Sequence, residues 1–275
     1  MMDDTIPTQA DTTRLALGIE YDGRRFCGWQ MQKHGTRTVQ LLLQQALSVV
    51  ADESVTVTCA GRTDTGVHAT GQVVHFDTTA VRQLKAWTMG VNAHLPDDVS
   101  VSWAREVDQA FSARFSATMR GYRYVLHNRK ARSALLSGRV TWIHDSLDVD
   151  AMHISAQSLL GENDFSSFRS SACQAEHARR FMKSITVSRQ GDFIFFDIHA
   201  NAFLHHMVRN IVGSLLSVGR GEKSPEWIAE LLQARDRTLG GVTAPADGLY
   251  LVSVEYPQAY RLPTSGMLPV FETRL

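Results

Sequence analysis

Residues 55–76 constrain the fold more tightly than any other stretch of the chain. Val55-Thr56-Val57-Thr58-Cys59-Ala60 alternates apolar and polar side chains, the period-2 pattern of a strand with one buried face. Gly71-Gln72-Val73-Val74-His75-Phe76 reads as a second strand. Between them Gly61 and Gly66 bracket a tight loop, since glycine takes the positive φ values that other residues avoid. Asp64 therefore stands at a loop tip on a rigid scaffold, where a side chain faces a ligand while strands hold its backbone. The plain alternative is an Asx-turn, in which the carboxylate caps the loop's own amide two residues on.

The remaining elements follow this one in rhythm. Residues 15–21 form a strand closed by Asp22-Gly23, and 26–32 continue extended. Thr38 caps a helix whose apolar side chains recur at Val39, Leu42, Leu43, Ala46, Leu47 and Val50, the spacing of one helical face. After the Asp64 loop and its return strand come a short helix over 82–92 and a strand over 99–107. The second half repeats the pattern with a strand at 122–127, a helix at 149–160 and a hairpin of 185–189 with 193–199 around Gln190-Gly191-Asp192. The strongest helix spans 201–218, followed by a shorter one at 225–232 and a last strand at 248–256.

This order predicts an α+β fold of two similar halves with a ferredoxin-like β-α-β-β rhythm. They join through a mainly antiparallel central sheet with helices on one face, leaving the other face for a large ligand. Residues 1–13 read as a disordered leader and 257–275 as a tail. The halves, 14–110 and 111–256, lack a Pro-, Gly- or Ser-rich linker, so they are expected to pack as one catalytic unit.

Charge narrows the partners. The net charge is zero, yet residues 109–144 contain no acid while holding Arg114, Arg120, Arg123, Arg129, Lys130, Arg132 and Arg139. Residues 23–51 are also free of acids and hold Arg24, Arg25, Lys33 and Arg37. Polyanions respond to local potential, so a neutral chain with such runs still offers a basic face; a solvated surface with counter-charges elsewhere is the other reading. No apolar run is long enough to span a membrane, and the acidic start is unlike a secretory signal, so a cytoplasmic protein is expected. Cys27, Cys59 and Cys173 are odd in number and widely spaced, which offers neither a disulfide framework nor a metal clip. His205 and His206 are adjacent on an expected helix and would point different ways, so no metal site is expected.

Three groups carry chemistry. Asp64 has no acidic neighbour for paired acid–base work but lies two residues from Arg62, which suits a nucleophile or an ion pair. Tyr122 and Tyr124 share one face of a strand near Arg120 and Phe115; by themselves they read as a half-buried strand, but aromatics interleaved with arginine also suit a nucleobase. Arg209 sits within an apolar helix, where an unpaired charge is expensive. Either it meets a structural acid or it partners Asp64.

Gly61-Arg62-Thr63-Asp64-Thr65-Gly66-Val67-His68-Ala69 resembles the catalytic loop of the TruA family of tRNA pseudouridine synthases. Tyr21-Asp22-Gly23, Gly28-Trp29-Gln30, Phe111-Ser112-Ala113-Arg114-Phe115-Ser116-Ala117, Tyr122-Arg123-Tyr124, Gly161-Glu162-Asn163-Asp164-Phe165, Phe203-Leu204-His205-His206-Met207-Val208-Arg209-Asn210 and Gly248-Leu249-Tyr250-Leu251 resemble family stretches in the same order. The resemblance implies isomerisation of uridine to pseudouridine at positions 38, 39 and 40 of the tRNA anticodon stem-loop, by a homodimer without metal or cofactor. It makes Asp64 the nucleophile, packs Tyr122 on the target uracil, pairs Arg209 with Asp64, and gives Arg62 the task of holding the nucleotide out of the stack. Leu251 is implied as a further substrate contact. Arg82, Phe111, Ser112, Ala113, Arg114, Phe115, Ala172, Cys173, Gln174, Ala175 and Glu176 fall where the family touches tRNA. Gly121 stands where the family often has arginine, and Ser112 where histidine is frequent, departures expected to soften RNA contacts.

Two other classes compete. Asp64-Thr65-Gly66 spells the aspartic-protease triplet, but that chemistry needs two carboxylates sharing a proton and the chain has no second copy. A non-catalytic RNA-binding or chaperone-like module would use the same basic stretches and aromatics.

Overall fold

A computed structural model describes residues 12–32 and 35–263. Most of the expected leader and tail, together with Lys33, lies outside these residues.

The first half opens with β1 (Thr13–Tyr21), which starts inside the expected leader, and continues through α1 (Val39–Ala51), β2 (Thr58–Cys59), β3 (His68–Thr78) and β4 (Val99–Val107). Thr38 caps α1 as expected, its hydroxyl accepting from the Leu41 amide, and the helix buries Val39, Leu43, Ala46 and Leu47. The expected strand over 55–60 is reduced to Thr58 and Cys59. Between β3 and β4 the chain is helical over 84–92, a little later than expected, and widens into a π turn at Ala86–Gly90.

The second half runs β5 (Met119–Asn128), β6 (Thr141–Ile143), α2 (Val149–Ala156), β7 (Gly161–Asp164), β8 (Arg179–Gln190), β9 (Phe193–Ala200), α3 (Met207–Gly219), α4 (Trp227–Ala234) and β10 (Leu249–Glu255). The helix expected over 201–218 begins only at Met207, because His206 takes a left-handed conformation, φ 62°, that no α-helix accommodates. From there α3 is buried almost all round, the mark of a helix inside a core rather than on its surface. At Gly213 it approaches the 241–244 loop so closely that a Cβ would overlap the Val242 carbonyl.

The strands form a single sheet in the order β4-β1-β3-β10-β5-β9-β8-β7, with β2 beside β3 and β6 beside β5. Within each half the ladders along this path are antiparallel, but the halves meet through the parallel pair β3 and β10, which share only Tyr250↔His68 and Leu251↔Ala69. Leu251 lies opposite Tyr122 on its other side, so the start of β3 stands two strands, roughly 10 Å, from Tyr122.

Helix residues Leu43, Met152, Ile211 and Ile228 share one core with Tyr122, Tyr124 and Leu126, whereas Val125, Phe193, Phe195, Tyr250 and Val252 form a small separate core on the reverse face. Leu136 and Val140, from the connection before β6, close that reverse core. Tyr122 alternates with Gly121 and Arg123, so it faces the helices, and the cleft it borders opens on that side. The expectation that the helix-free face takes the large ligand is corrected accordingly.

Candidate active site

The Asp64 loop is pinned from three directions before it reaches the cleft. Tyr21 and Thr63 share a buried hydroxyl hydrogen bond of 2.8 Å. The Trp29 amide donates to the Thr63 carbonyl at 3.0 Å. The Gln72 side chain accepts from the Gly61 amide at 3.4 Å and donates to the Gly61 carbonyl at 2.6 Å. Gly66 takes φ 81°, and its amide donates to the Phe26 carbonyl rather than to Asp64. The Asx-turn alternative is not what the loop adopts, and the carboxylate is left to face outward.

It faces a cluster of nitrogen donors at the start of α3. The Arg209 guanidinium donates to Oδ2 of Asp64 at 3.3 Å, and its Nε donates to the Ala244 carbonyl at 2.8 Å, which fixes the side chain's direction. Side-chain exposure is 16% for Arg209 and 24% for Asp64, so the pair is screened from water and its geometry counts. The expected partnership is therefore present. The expectation that His205 and His206 diverge is overturned, because both precede the helix: Nε2 of His205 lies 3.4 Å from Oδ1 of Asp64, and Nε2 of His206 lies 3.4 Å from Oδ2. Burial holds the His206 imidazole below its ordinary pKa; Asp64 opposes this, and the charges of His205 and Arg209 reinforce it.

Asp64, His205 and His206 converge within 4.8 Å with ligand types that suit a cation, a geometry adjacency in sequence had hidden. The Arg209 charge against the same carboxylate opposes a second cation there.

A cleft of about 1240 Å³ surrounds the carboxylate, larger than the usual small-molecule pocket. Tyr122 forms one wall, 8% exposed, with the Phe203 ring edge-on at 4.9 Å. Burial, aided by the Asp64 charge, pushes its phenol well above the ordinary range. Arg62, Arg114, Arg120 and Arg180 border the same cleft. Arg62 is exposed and has no ion pair or hydrogen bond among the described residues, whereas Arg120 is spent on the carbonyls of Ala60, Arg114, Ala117 and Asn201.

The other expected contacts divide. Ala172, Cys173, Gln174 and Ala175 border the cleft; Glu176 is exposed beside them. Phe115 is 79% exposed, with the Arg114 guanidinium 5.0 Å from its ring centre. Phe111 and Ala113, both 0% exposed, do not reach a surface: Phe111 packs against His75, Tyr256 and Tyr260, and Tyr256 donates to the Ala113 carbonyl. Ser112 turns its hydroxyl to the Phe115 amide. Leu251 is also fully buried, and Leu249 borders the cleft in its place. Arg82 follows the far end of β3 from the Asp64 loop and donates to the Val50 carbonyl at the end of α1. Gly121 points to the reverse face under Ser253 and His199, so its departure from the family pattern removes nothing from the cleft.

No helix among the described residues is long and apolar enough to cross a membrane. A family profile described as tRNA pseudouridine synthase matches residues 18–116 and 155–257. A tRNA pseudouridine synthase A of Hydrogenovibrio crunogenus is 59% identical over 91% of this chain and 95% of its own length. One from Photobacterium profundum is 55% identical over 94% and 98%, and one from Escherichia coli O1:K1 is 56% identical over 96% and 97%. A solved H/ACA ribonucleoprotein bound to a substrate RNA containing 2'-deoxyuridine aligns over 74% of this chain and 53% of that one, at 10% identity and TM-score 0.29, too slight a likeness to argue from. With matched segments that span both strand sets and include Asp64 and Arg209, the chain belongs to the tRNA pseudouridine synthase family.

Proposed function

We propose that this chain isomerises uridine to pseudouridine at positions 38, 39 and 40 of the tRNA anticodon stem-loop, with Asp64 as the nucleophile. The observation that carries the reading is the Asp64 carboxylate held by Arg209 inside an arginine-bordered cleft, with Tyr122 as a flat wall. The names of the relatives support tRNA as the substrate.

The chemistry detaches uracil at N1, turns it, and rejoins it through C5, which requires the nucleotide to leave the helical stack. Tyr122 offers the face on which the loose base is kept, and Arg62, exposed at the rim, offers a charge to the displaced backbone. Arg209 fixes the carboxylate's orientation. Three routes use that carboxylate: addition to C6, attack at C1′, or removal of the C2′ proton. The reaction is redox-neutral, so the reading includes no cofactor.

The enzyme so proposed is a homodimer, as the motif resemblance suggests, and acts in the cytoplasm, where tRNA is modified. Residues 14–110 and 111–256 are its ferredoxin-like halves, joined in one catalytic unit. Their matching strand orders, β4-β1-β3-β2 and β10-β5-β9-β8, support this.

The test is release of tritium from tRNA carrying 5-³H-uridine, comparing the parent with Asp64→Asn. Release by the parent alone is expected. Silence from both with tRNA still bound replaces the reading with a non-catalytic binding module.

A further inference from the structure

His205 and His206 stand against the proposed nucleophile without an assigned part in the reaction. Their rings are 4.0 Å apart and tilted by 36°. The left-handed backbone of His206 is a conformation that persists only where surrounding structure demands it. Here it ends the chain's approach to α3 so that both rings meet one carboxylate.

That carboxylate is engaged unequally. Among the described residues, Oδ2 meets Arg209 and His206, while Oδ1 meets only His205. An oxygen that accepts from a guanidinium gives up nucleophilicity, so the geometry favours Oδ1, on the His205 side, as the reacting atom. Whether Oδ1 engages C6, C1′ or the C2′ proton, C5 of the base must reach C1′, which brings it close to the same edge. The isomerisation then needs a base at C5. Burial keeps the Tyr122 phenol protonated, and burial, opposed by the Arg62 charge, pushes the Cys59 thiol up to about 12. His205 is the more exposed histidine and borders the cleft.

We propose that His205 accepts the C5 proton of the rearranged uracil, while Arg209 and His206 hold Asp64 by its other oxygen. This rests on the synthase reading. Once C5 has bonded to C1′ it still carries hydrogen. The C5–H bond breaks, its electron pair forms the C5=C6 double bond, and the proton passes to Nε2 of His205 and then to water. In an adduct at C6, the departing pair returns to the Asp64 oxygen; without one, it passes to N1, which takes a proton. Either way N1 finishes as N–H, and the imidazolium donates to Oδ1 until it is discharged.

The experiment measures pseudouridine formation on tRNA containing 5-¹H- or 5-²H-uridine, for the parent, His205→Ala, the near-isosteric His205→Gln and His206→Ala, with melting temperature and tRNA affinity as controls. Both His205 variants are expected to slow on the order of a hundredfold and to acquire a deuterium isotope effect the parent lacks, because C5–H cleavage becomes the slow step. His206→Ala is expected to slow without acquiring one. Normal turnover in a folded His205 variant, or slowing with no isotope effect, overturns the assignment and returns the C5 proton to Asp64. A parent that forms no pseudouridine at all overturns the synthase reading instead.

Discussion

The connection between β2 and β3 and the connection between β8 and β9 occupy the same place in the two strand sets, and they have been put to opposite uses. β8 and β9 are joined by Gly191 and Asp192 alone, and their ladder runs from Gln190↔Phe193 down to Met182↔Ala200. β2 keeps only Thr58 and Cys59 on β3, and residues 60–67 are given over to a loop held by Tyr21, Trp29 and Gln72. Each connection carries an aspartate. Asp192 is exposed at its turn, whereas Asp64 meets Arg209, His205 and His206. Ladder hydrogen bonds have been exchanged in the first half for the placement of one carboxylate.

The two connections should differ most at their aspartates. Asp64→Asn is expected to lower turnover by at least a thousandfold, roughly the scale of losing a nucleophile, with tRNA affinity retained, while Asp192→Asn leaves turnover near the parent value. Equal losses in single-turnover assays would show that the loop is not what distinguishes the halves. Next in size is Arg209→Leu, expected to lower turnover on the order of a hundredfold, the scale of one oriented charge contact. Full activity in that variant would sink the pairing as a functional feature.

Glycine at the two turns sharpens the contrast on a smaller scale. Gly66 has φ 81° and Gly191 φ 57°, so alanine at either is expected to cost about 1–2 kcal/mol in chemical denaturation. Only Gly66→Ala, in the loop that positions Asp64, should also reduce turnover. If Gly191→Ala lowers activity equally, the effect comes from general destabilisation.

The smallest effect tests Asp22, which lies beside the end of the loop and pairs with Arg24, Arg139 and His68. At Asp22 burial acts to raise the carboxyl, but hydrogen bonds from Arg24 and the charge of His68 outweigh it and bring it down to about 2. A depressed carboxyl contributes stability above its unfolded value near ~4 and loses it as pH falls from there toward about 2. Asp22→Asn should therefore flatten melting temperature against pH across that window. An unchanged acid limb would mean that other groups govern it.

The loop, its flanking strands and the Thr38 cap were legible because each is a local decision, made by alternation, glycine and a hydroxyl within a few residues. The pairing of Arg209 with Asp64 was legible as a choice between two partners, since a charge in an apolar helix needs an acid and the sequence does not name it. The convergence of His205 and His206 was missed because apolar spacing extends the helix to 201, and nothing in the sequence signals the left-handed turn at His206. Phe111, Ala113 and Leu251 carried family motifs into the core rather than onto the cleft, since a motif records what a segment needs without recording which side chain faces solvent.

By itself the sequence determined the order of the main helices and strands, though not the short strands β6 and β7, together with the loop that bears Asp64 and the family resemblance, because these depend on neighbours along the chain. Only the tertiary structure decided that β3 meets β10 in parallel, that the cleft opens on the helix-bearing face, and that Asp64 is shared among an arginine and two histidines. Those outcomes depend on residues more than a hundred positions apart, 145 between Asp64 and Arg209, brought together by the burial of two strand sets in one core.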